Sequence, residues 1–207
     1  LHYSHRTAHA GTGLVAVAGL CVGVLALQGA FREHGDALTR LGATVREVRQ
    51  LKDLDGLDAI VLPGGESTVM GKLLQEWSML EPLRQRILAG MPVYGSCAGL
   101  ILLCTDVEGS GQPRLGVLDA TVRRNAFGRQ VDSFETDLTL PDLGAEPVHA
   151  VFIRAPVLTR VGPDVRVLAQ VGSHAVAVRQ NNVLGTSFHP ELTDDPRLHQ
   201  YFLTMCS

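Results

Sequence analysis

The most informative segment of the sequence is Met91-Pro92-Val93-Tyr94-Gly95-Ser96-Cys97-Ala98-Gly99-Leu100-Ile101-Leu102-Leu103. Its first apolar residues are typical of a strand, its last are typical of a helix, and small residues surround the central cysteine, Cys97. This is the pattern of a nucleophile elbow, where the chain turns so sharply that glycine or similar residues must surround the nucleophile. We therefore predict that Cys97 lies at the start of a helix, where the positive end of the helix dipole favours its thiolate.

A second motif that can carry chemistry lies far downstream, in Phe188-His189-Pro190-Glu191. In an extended chain His189 and Glu191 share one face, so we expect Glu191 to accept one imidazole N–H and leave the other nitrogen free to take the thiol proton. A thiol, an imidazole and a carboxylate in this form indicate acyl transfer through a covalent thioester. Their order along the chain argues against an α/β-hydrolase, in which the acid precedes the histidine.

Composition bounds the remaining possibilities. The chain has 207 residues and a net charge of −3, with no basic block, which gives no sign of nucleic-acid or membrane-surface binding. Its four cysteines have no paired spacing, so we expect neither a disulfide framework nor a metal site, and a reducing cytoplasm is the natural setting for a reactive thiol. No cofactor is expected. We predict that residues 1–21 are an N-terminal extension or leader and that residues 22–207 form a single domain.

From residue 22 onward, strand-like and helical segments alternate, which predicts an α/β fold with a mostly parallel sheet and helices on both faces. The predicted elements are strands at Val22–Leu27, Val45–Arg49, Ala59–Leu62 and Pro92–Tyr94, a helix over Glu33–Leu41 ending at Gly42, helical sequence over Val69–Leu88 with a bend or a new helix at Pro82, and a last helix over Asp195–Met205. Beyond Leu115, short β-rich segments predict an antiparallel extension: Leu118–Val122, Val131–Thr136, His149–Ile153, Val165–Ala169, Ala175–Arg179 and Val183–Ser187.

The loop Pro63-Gly64-Gly65-Glu66-Ser67-Thr68 follows a predicted strand and opens a predicted helix. One interpretation is a tight turn in which Ser67 or Thr68 caps the helix. The other is that the glycine N–H groups are oxyanion donors, since backbone amides need no reorganisation when charge develops. Neither a phosphate-binding loop nor a dinucleotide fingerprint fits, because no lysine follows the glycines and the G-x-G-x-x-G spacing is missing.

The cysteine and His-Pro-Glu motifs together resemble the triad class of glutamine amidotransferases. Within that class the chain resembles the glutaminase subunit of pyridoxal 5′-phosphate synthase, the PdxT family. The segments that carry this closer resemblance are Val24-Leu25-Ala26-Leu27-Gln28-Gly29, Leu62-Pro63-Gly64-Gly65-Glu66-Ser67-Thr68, Arg124-Asn125-Ala126-Phe127-Gly128-Arg129-Gln130 and Ile153-Arg154-Ala155-Pro156.

The resemblance implies a three-layer, doubly wound, flavodoxin-like fold and a catalytic triad of Cys97, His189 and Glu191 that hydrolyses L-glutamine to glutamate and ammonia. It further implies six substrate-binding residues and two oxyanion-hole residues. The substrate-binding residues are Gly65, Glu66, Ser67, Arg124, Ile153 and Arg154, and the oxyanion-hole residues are Gly65 and Ala98. The implied partner is the pyridoxal 5′-phosphate synthase subunit, which receives the ammonia in a hetero-oligomer. By the same resemblance, the Gly64–Gly65 peptide is expected to be misaligned until the partner binds.

Two alternatives remain open at this point. One is a free-standing cysteine amidase or γ-glutamyl hydrolase with the same architecture. The other is a non-catalytic regulatory subunit that has kept the fold, for which replacement of Cys97 would change nothing.

Overall fold

A computed structural model describes residues 17–127 and 133–206. Its strands are β1 (Cys21–Leu25), β2 (Thr44–Val48), β3 (Ala59–Leu62), β4 (Val93–Ser96), β5 (Cys104–Val107), β6 (Leu118–Arg123), β7 (Ser133–Leu138), β8 (Val148–Ile153), β9 (Val157–Val161), β10 (Arg166–Val171), β11 (His174–Gln180) and β12 (Val183–Thr186). Its α-helices are α1 (Phe31–Arg40), α2 (Ser67–Glu76), α3 (Leu80–Leu88), α4 (Ala98–Leu103) and α5 (Arg197–Thr204).

The central sheet confirms the predicted α/β class. Strands β2, β1, β3, β4 and β12 lie side by side in that order, and every pair of neighbours among them is parallel. Antiparallel pairing begins at β11, which contacts β12, β10 and β9, and continues between β9 and β6. A separate antiparallel pair, β7 with β8, forms a second small sheet.

Helices cover both faces of the sheet, as the alternating pattern predicts. Successive residues of a strand point to opposite faces, so Ile60 and Leu62 pack into one hydrophobic core, while Ala59 and Val61 pack into the other. The first core includes the buried faces of α2, α3 and α4. The second includes those of α1 and α5. The result is the predicted three-layer arrangement.

The helix boundaries follow the expected local signals. Helix α1 ends before Gly42, whose φ of 95° is the left-handed conformation that a helix-terminating glycine adopts. The helical sequence 69–88 is divided into α2 and α3, and Pro82 lies in the first turn of α3, where its missing N–H costs no helical hydrogen bond.

One detail of the predicted β region is wrong, and two strands are missing from the prediction. Strand β12 pairs in parallel with β4 and completes the parallel sheet, although Val183–Ser187 was assigned to the antiparallel extension. The strands β5 and β9 were not predicted. Both are short, and β5 follows α4 with no intervening loop, so no turn residues mark its start.

Some predictions fall on residues outside the described ranges. They are the start of the predicted strand at Val131, the Gly128-Arg129-Gln130 end of one resembling segment, and most of the predicted extension 1–21. Within the described part, Val17 packs in the second core and the Leu20 carbonyl accepts the Thr44 N–H at 2.9 Å. No helix among the described residues is long and apolar enough to cross a membrane.

The sheet brings the two chemical motifs to one edge. Strands β3, β4 and β12 run parallel, so their carboxyl ends meet there, and each leads directly into one part of the candidate site. The glycine-rich loop follows β3, Cys97 follows β4, and His189 lies three residues after β12. The Cys97 N–H donates to the Thr186 carbonyl at 2.8 Å, which ties the elbow to the end of β12.

Candidate active site

Cys97 occupies the sharp turn that the sequence predicts. Its backbone has φ 51° and ψ −104°, a sparsely populated conformation for a residue with a side chain, and the first turn of α4 begins at the next residue. A Cβ on Gly99 would lie 2.0 Å from the Leu62 carbonyl oxygen, so only glycine allows α4 to approach β3 this closely. The thiol side chain faces a cleft, with its Sγ 3.8 Å from the Ile153 carbonyl oxygen.

His189 and Glu191 are in direct contact. His189 Nδ1 lies 2.6 Å from Glu191 Oε1. The backbone N–H of His189 donates to the backbone carbonyl of Val151 at 2.9 Å. The predicted extended geometry is wrong in one respect, because Pro190–Leu192 is a 3₁₀ turn. The turn brings the carboxylate back onto the imidazole, and Pro190 suits it because proline is favoured in the first position of a helical turn.

The surroundings of this pair favour a charged imidazole next to an ionised carboxylate. Burial by itself lowers the pKa of His189, but its interactions with the Cys97 side chain and with Glu191 outweigh burial and raise that pKa to about 10. Burial by itself raises the pKa of Glu191, but the neighbouring rings of His34 and His189 outweigh it and hold that pKa below its ordinary value. The arrangement can therefore hold a proton on His189, close to the sulfur.

The cleft has a volume of about 410 Å³. Every predicted site residue except Glu191 lines it, and Glu191 is buried behind the imidazole. The predicted residues that line it are Gly65, Glu66, Ser67, Cys97, Ala98, Arg124, Ile153, Arg154 and His189. Among the other lining residues, Ala30, Ile101, Asn125 and Leu192 were not predicted from the sequence.

The glycine-rich loop differs from the prediction at its helix cap. Glu66, rather than Ser67 or Thr68, caps α2, because its carboxylate accepts the N–H groups of Thr68 and Val69 at 3.1 and 3.0 Å. The loop is also anchored to the segment after β1. There Gln28 Oε1 accepts the Glu66 N–H at 2.7 Å and the Gly64 carbonyl accepts the Ala30 N–H at 3.3 Å.

A buried glutamine connects two of the predicted substrate-binding residues. Gln112 donates to Ser67 Oγ at 3.1 Å, and its Oε1 accepts from Arg124 at 3.0 Å. Arg124 also donates to Thr68 Oγ1 at 3.2 Å. Gln112 lies in a loop between β5 and β6 and has no sequence signal of its own, so only the tertiary structure reveals this contact.

A second buried polar cluster, which the sequence analysis does not predict, lies behind His189 and Glu191. His34, on the inner face of α1, has Nδ1 2.8 Å from His199 Nε2 and Nε2 2.9 Å from Ser96 Oγ. The same Nε2 lies 3.4 Å from Glu191 Oε2. All four residues are almost completely buried. A histidine on a helix is common in sequences, and its partners here come from distant segments, so no local pattern marks it.

The sequence profile of the SNO glutamine amidotransferase family matches residues 24–207. The chain belongs to this family.

Individual relatives agree with the assignment to the SNO family. The chain is 57% identical over 182 residues to the pyridoxal 5′-phosphate synthase subunit PdxT of Carboxydothermus hydrogenoformans, covering 88% of this chain and 95% of that protein. It is 59% identical over 186 residues to the subunit of the same name from Thermus thermophilus, covering 89% and 96% respectively.

Solved structures agree as well. A crystal structure described as a glutamine amidotransferase superposes with a TM-score of 0.86 at 56% identity, covering 89% of this chain and 98% of that one. PurLQS from Thermotoga maritima matches with a TM-score of 0.68 at 17% identity, covering 91% and 99% respectively, which shows a shared fold alone.

Within residues 17–127 and 133–206, no group of three or more His, Cys, Asp or Glu side chains is arranged to hold a metal ion.

The buried His199 makes the stability of this family member depend on pH. Burial, reinforced by His34, lowers the pKa of His199 to about 3, whereas an unfolded histidine titrates near 6.5. Between these values the unfolded state binds the extra proton, so stability falls as the pH is lowered, by about 1.4 kcal/mol per pH unit for one such group. We propose to measure the free energy of unfolding by urea denaturation between pH 6.5 and 4.5. As the pH is lowered, this free energy should fall less steeply for His199→Gln than for the wild type.

The control for this measurement is His149→Gln. His149 is exposed, and its contacts with Asp137 and Glu135 raise its pKa, so its stabilising contribution is complete below pH 6.5 and is lost only as the pH rises above that value. Its replacement should therefore leave the slope between pH 6.5 and 4.5 unchanged. Parallel slopes for the wild type and His199→Gln would contradict the buried, neutral state of His199.

Proposed function

We propose that this chain is the glutaminase subunit of a pyridoxal 5′-phosphate synthase. It hydrolyses L-glutamine to L-glutamate and ammonia, and the ammonia serves a synthase partner in vitamin B6 biosynthesis. Family membership and the PdxT relatives support the assignment. The observation that carries it is the position of Cys97 at a strained elbow in the cleft, beside an imidazole that Glu191 holds at 2.6 Å.

The chemistry follows from these positions. The Cys97 thiolate attacks the side-chain amide carbon of glutamine, and the electrons of the C=O bond move to oxygen. The tetrahedral intermediate then collapses to a thioester as His189 gives its proton to the departing ammonia. His189 next takes a proton from water, which attacks the thioester and releases glutamate and the thiolate. Glu191 keeps the imidazole oriented and favours its charged form throughout.

The negative oxygen of the intermediate requires donors that are already in place. Ala98 is the first residue of α4, so its N–H has no partner within the helix and is free to face the substrate oxygen. We propose the Gly65 N–H, on the loop across the cleft, as the second donor. The Gly64 carbonyl is held by Ala30 at 3.3 Å, a long hydrogen bond that a rotation of this peptide would break at little cost.

The amino-acid end of glutamine is a zwitterion, and the cleft offers charges of both signs. Arg124 and Arg154 are exposed there and suit the α-carboxylate. The Glu66 carboxylate accepts one N–H on each oxygen, and each oxygen keeps a second acceptor position for the α-ammonium. Ser67 and Ile153 complete the proposed contacts.

Ammonia release with and without the synthase subunit tests the partnership. The expectation that the Gly64–Gly65 peptide is misaligned in the free chain predicts slow glutamine hydrolysis alone and an increase of about 100-fold on addition of the partner, the effect of gaining one oxyanion donor. A γ-glutamyl peptide offered as a second substrate should remain uncleaved. Full activity of the free chain would contradict the dependence on the partner, and cleavage of the peptide would favour a free-standing γ-glutamyl hydrolase.

We also propose that the protein works in the cytoplasm. Its four cysteines are unpaired, and the reaction requires that Cys97 remain reduced.

A further inference from the structure

The hydrogen-bond chain behind the triad has a defined direction. His199 Nδ1 is buried and has no hydrogen-bond partner among the described residues. A buried N–H without an acceptor is rarer and more costly than a buried lone pair, so the proton of a neutral His199 belongs on Nε2. That N–H points at His34 Nδ1, 2.8 Å away, which must then be the acceptor.

The consequence for His34 is that its own proton lies on Nε2. Burial lowers the pKa of His34, so the ring is neutral and carries a single N–H. Nε2 faces two oxygens, Ser96 Oγ at 2.9 Å and Glu191 Oε2 at 3.4 Å. Only the contact with Ser96 Oγ is a hydrogen bond. Glu191 Oε2 is buried and has no hydrogen bond among the described residues, so the positive end of the nearby N–H dipole stabilises this side of the carboxylate.

We propose that His34 is a positioning residue for the catalytic triad: its tautomer is fixed by His199, and its Nε2–H donates to Ser96 and stabilises the second oxygen of Glu191, 3.4 Å away, electrostatically. Glu191 then has one oxygen on His189 and the other facing α1, so the carboxylate cannot rotate away from the imidazole. Through Ser96, the residue before the nucleophile, the same ring also contacts the end of β4. This inference rests on the glutaminase function proposed above.

Two substitutions separate this role from simple packing. A glutamine at position 34 can place its amide nitrogen where Nε2 now lies and still reach Glu191. The shorter asparagine reaches only the position of Nδ1, toward His199. We expect His34→Asn to lower kcat for glutamine by about 10- to 100-fold with KM changed less than about threefold, and His34→Gln to recover kcat to within about fivefold of the wild type. Assays use the complex with the synthase subunit.

The pH profile of kcat is a second readout. Glu191 is faced by His34 and His189, and His34 is faced by Glu191, His199 and the Tyr94 ring. Loss of the Nε2–H makes Glu191 easier to protonate, so the acidic limb of the profile should move to higher pH in His34→Asn and stay in place in His34→Gln. Equal losses of kcat in the two variants, or no loss in either, would overturn the proposal.

A measurement on the unmodified protein covers the case in which His34→Asn does not fold. Nitrogen-15 NMR of histidine-labelled protein, with signals assigned through His199→Gln and His34→Gln, reports which ring nitrogen carries the proton. The proposal predicts Nε2–H for both His34 and His199. An Nδ1–H tautomer at His34 would overturn it. Because the tautomer is independent of turnover, this result stands even if the protein proves not to hydrolyse glutamine.

Discussion

Replacing Cys97 by serine is expected to reduce glutamine hydrolysis by at least about 1000-fold, because removal of a nucleophile from a catalytic triad leaves only the contribution of binding and the oxyanion donors. A serine hydroxyl fits the elbow but holds its proton far more tightly than a thiol does. The measurement is ammonia release in the presence of the synthase subunit, with unfolding curves to show that the variant is folded.

Cys206→Ser is the matched control. Its sulfur is partly buried against the Phe202 carbonyl at 3.6 Å, and burial raises the pKa of this thiol to about 11, so it is not a nucleophile at neutral pH. This variant should retain full activity. Hydrolysis by Cys97→Ser at a rate close to that of the wild type would show that another residue is the nucleophile, and no hydrolysis by either protein would favour a non-catalytic subunit.

Gly64→Ala should reduce kcat by about 100-fold or more while the protein stays folded. A Cβ at this position would lie 2.5 Å from Cε1 and 3.1 Å from Nδ1 of His189, and the ring cannot retreat without breaking its 2.6 Å contact with Glu191. Displacement of a catalytic group by about 1 Å is enough for such a loss. The clash is with one side chain at the cleft, so we expect little change in the free energy of unfolding.

Gly35→Ala makes the same substitution where there is room for it. Among the described residues outside the backbone of its own helix, the added Cβ would meet only Val45 Cγ1, at 3.5 Å, and alanine favours the helical backbone of α1. This control should keep its activity and gain a few tenths of a kcal/mol in stability. A Gly64→Ala variant that hydrolyses glutamine normally would show that the imidazole does not lie against this glycine during catalysis.

The sequence was informative wherever local patterns decide the structure. The apolar segments of β1 and β3 and the small residues around Cys97 each describe a strand or a turn that forms for local reasons, and they were predicted to within one or two residues. The direction of β12 was not predictable, because a four-residue apolar strand looks the same whether its neighbour is parallel or antiparallel. The deciding contact is with β4, whose paired residues lie ninety positions earlier in the chain.

The site was predicted unevenly for similar reasons. His189 and Glu191 were identified as partners from their spacing, but Pro190 is compatible with both an extended chain and a 3₁₀ turn, so their geometry was wrong. Glu66 was missed as a helix cap because serine, threonine, aspartate and asparagine are the usual residues there. His34 and Gln112 act through buried contacts with distant segments, which have no counterpart in the sequence pattern.

The central claim is that the Cys97 sulfur forms a covalent thioester with the glutamyl group. Acid quenching of the complex during turnover with isotopically labelled glutamine, followed by intact-protein and peptide mass spectrometry, tests it most directly. The labelled glutamyl group should be found on the peptide that contains Cys97, at that residue and not at Cys104, and should be absent from Cys97→Ser. Rapid ammonia release with the label on another residue, or with no covalent adduct under conditions that preserve a thioester, would contradict the claim.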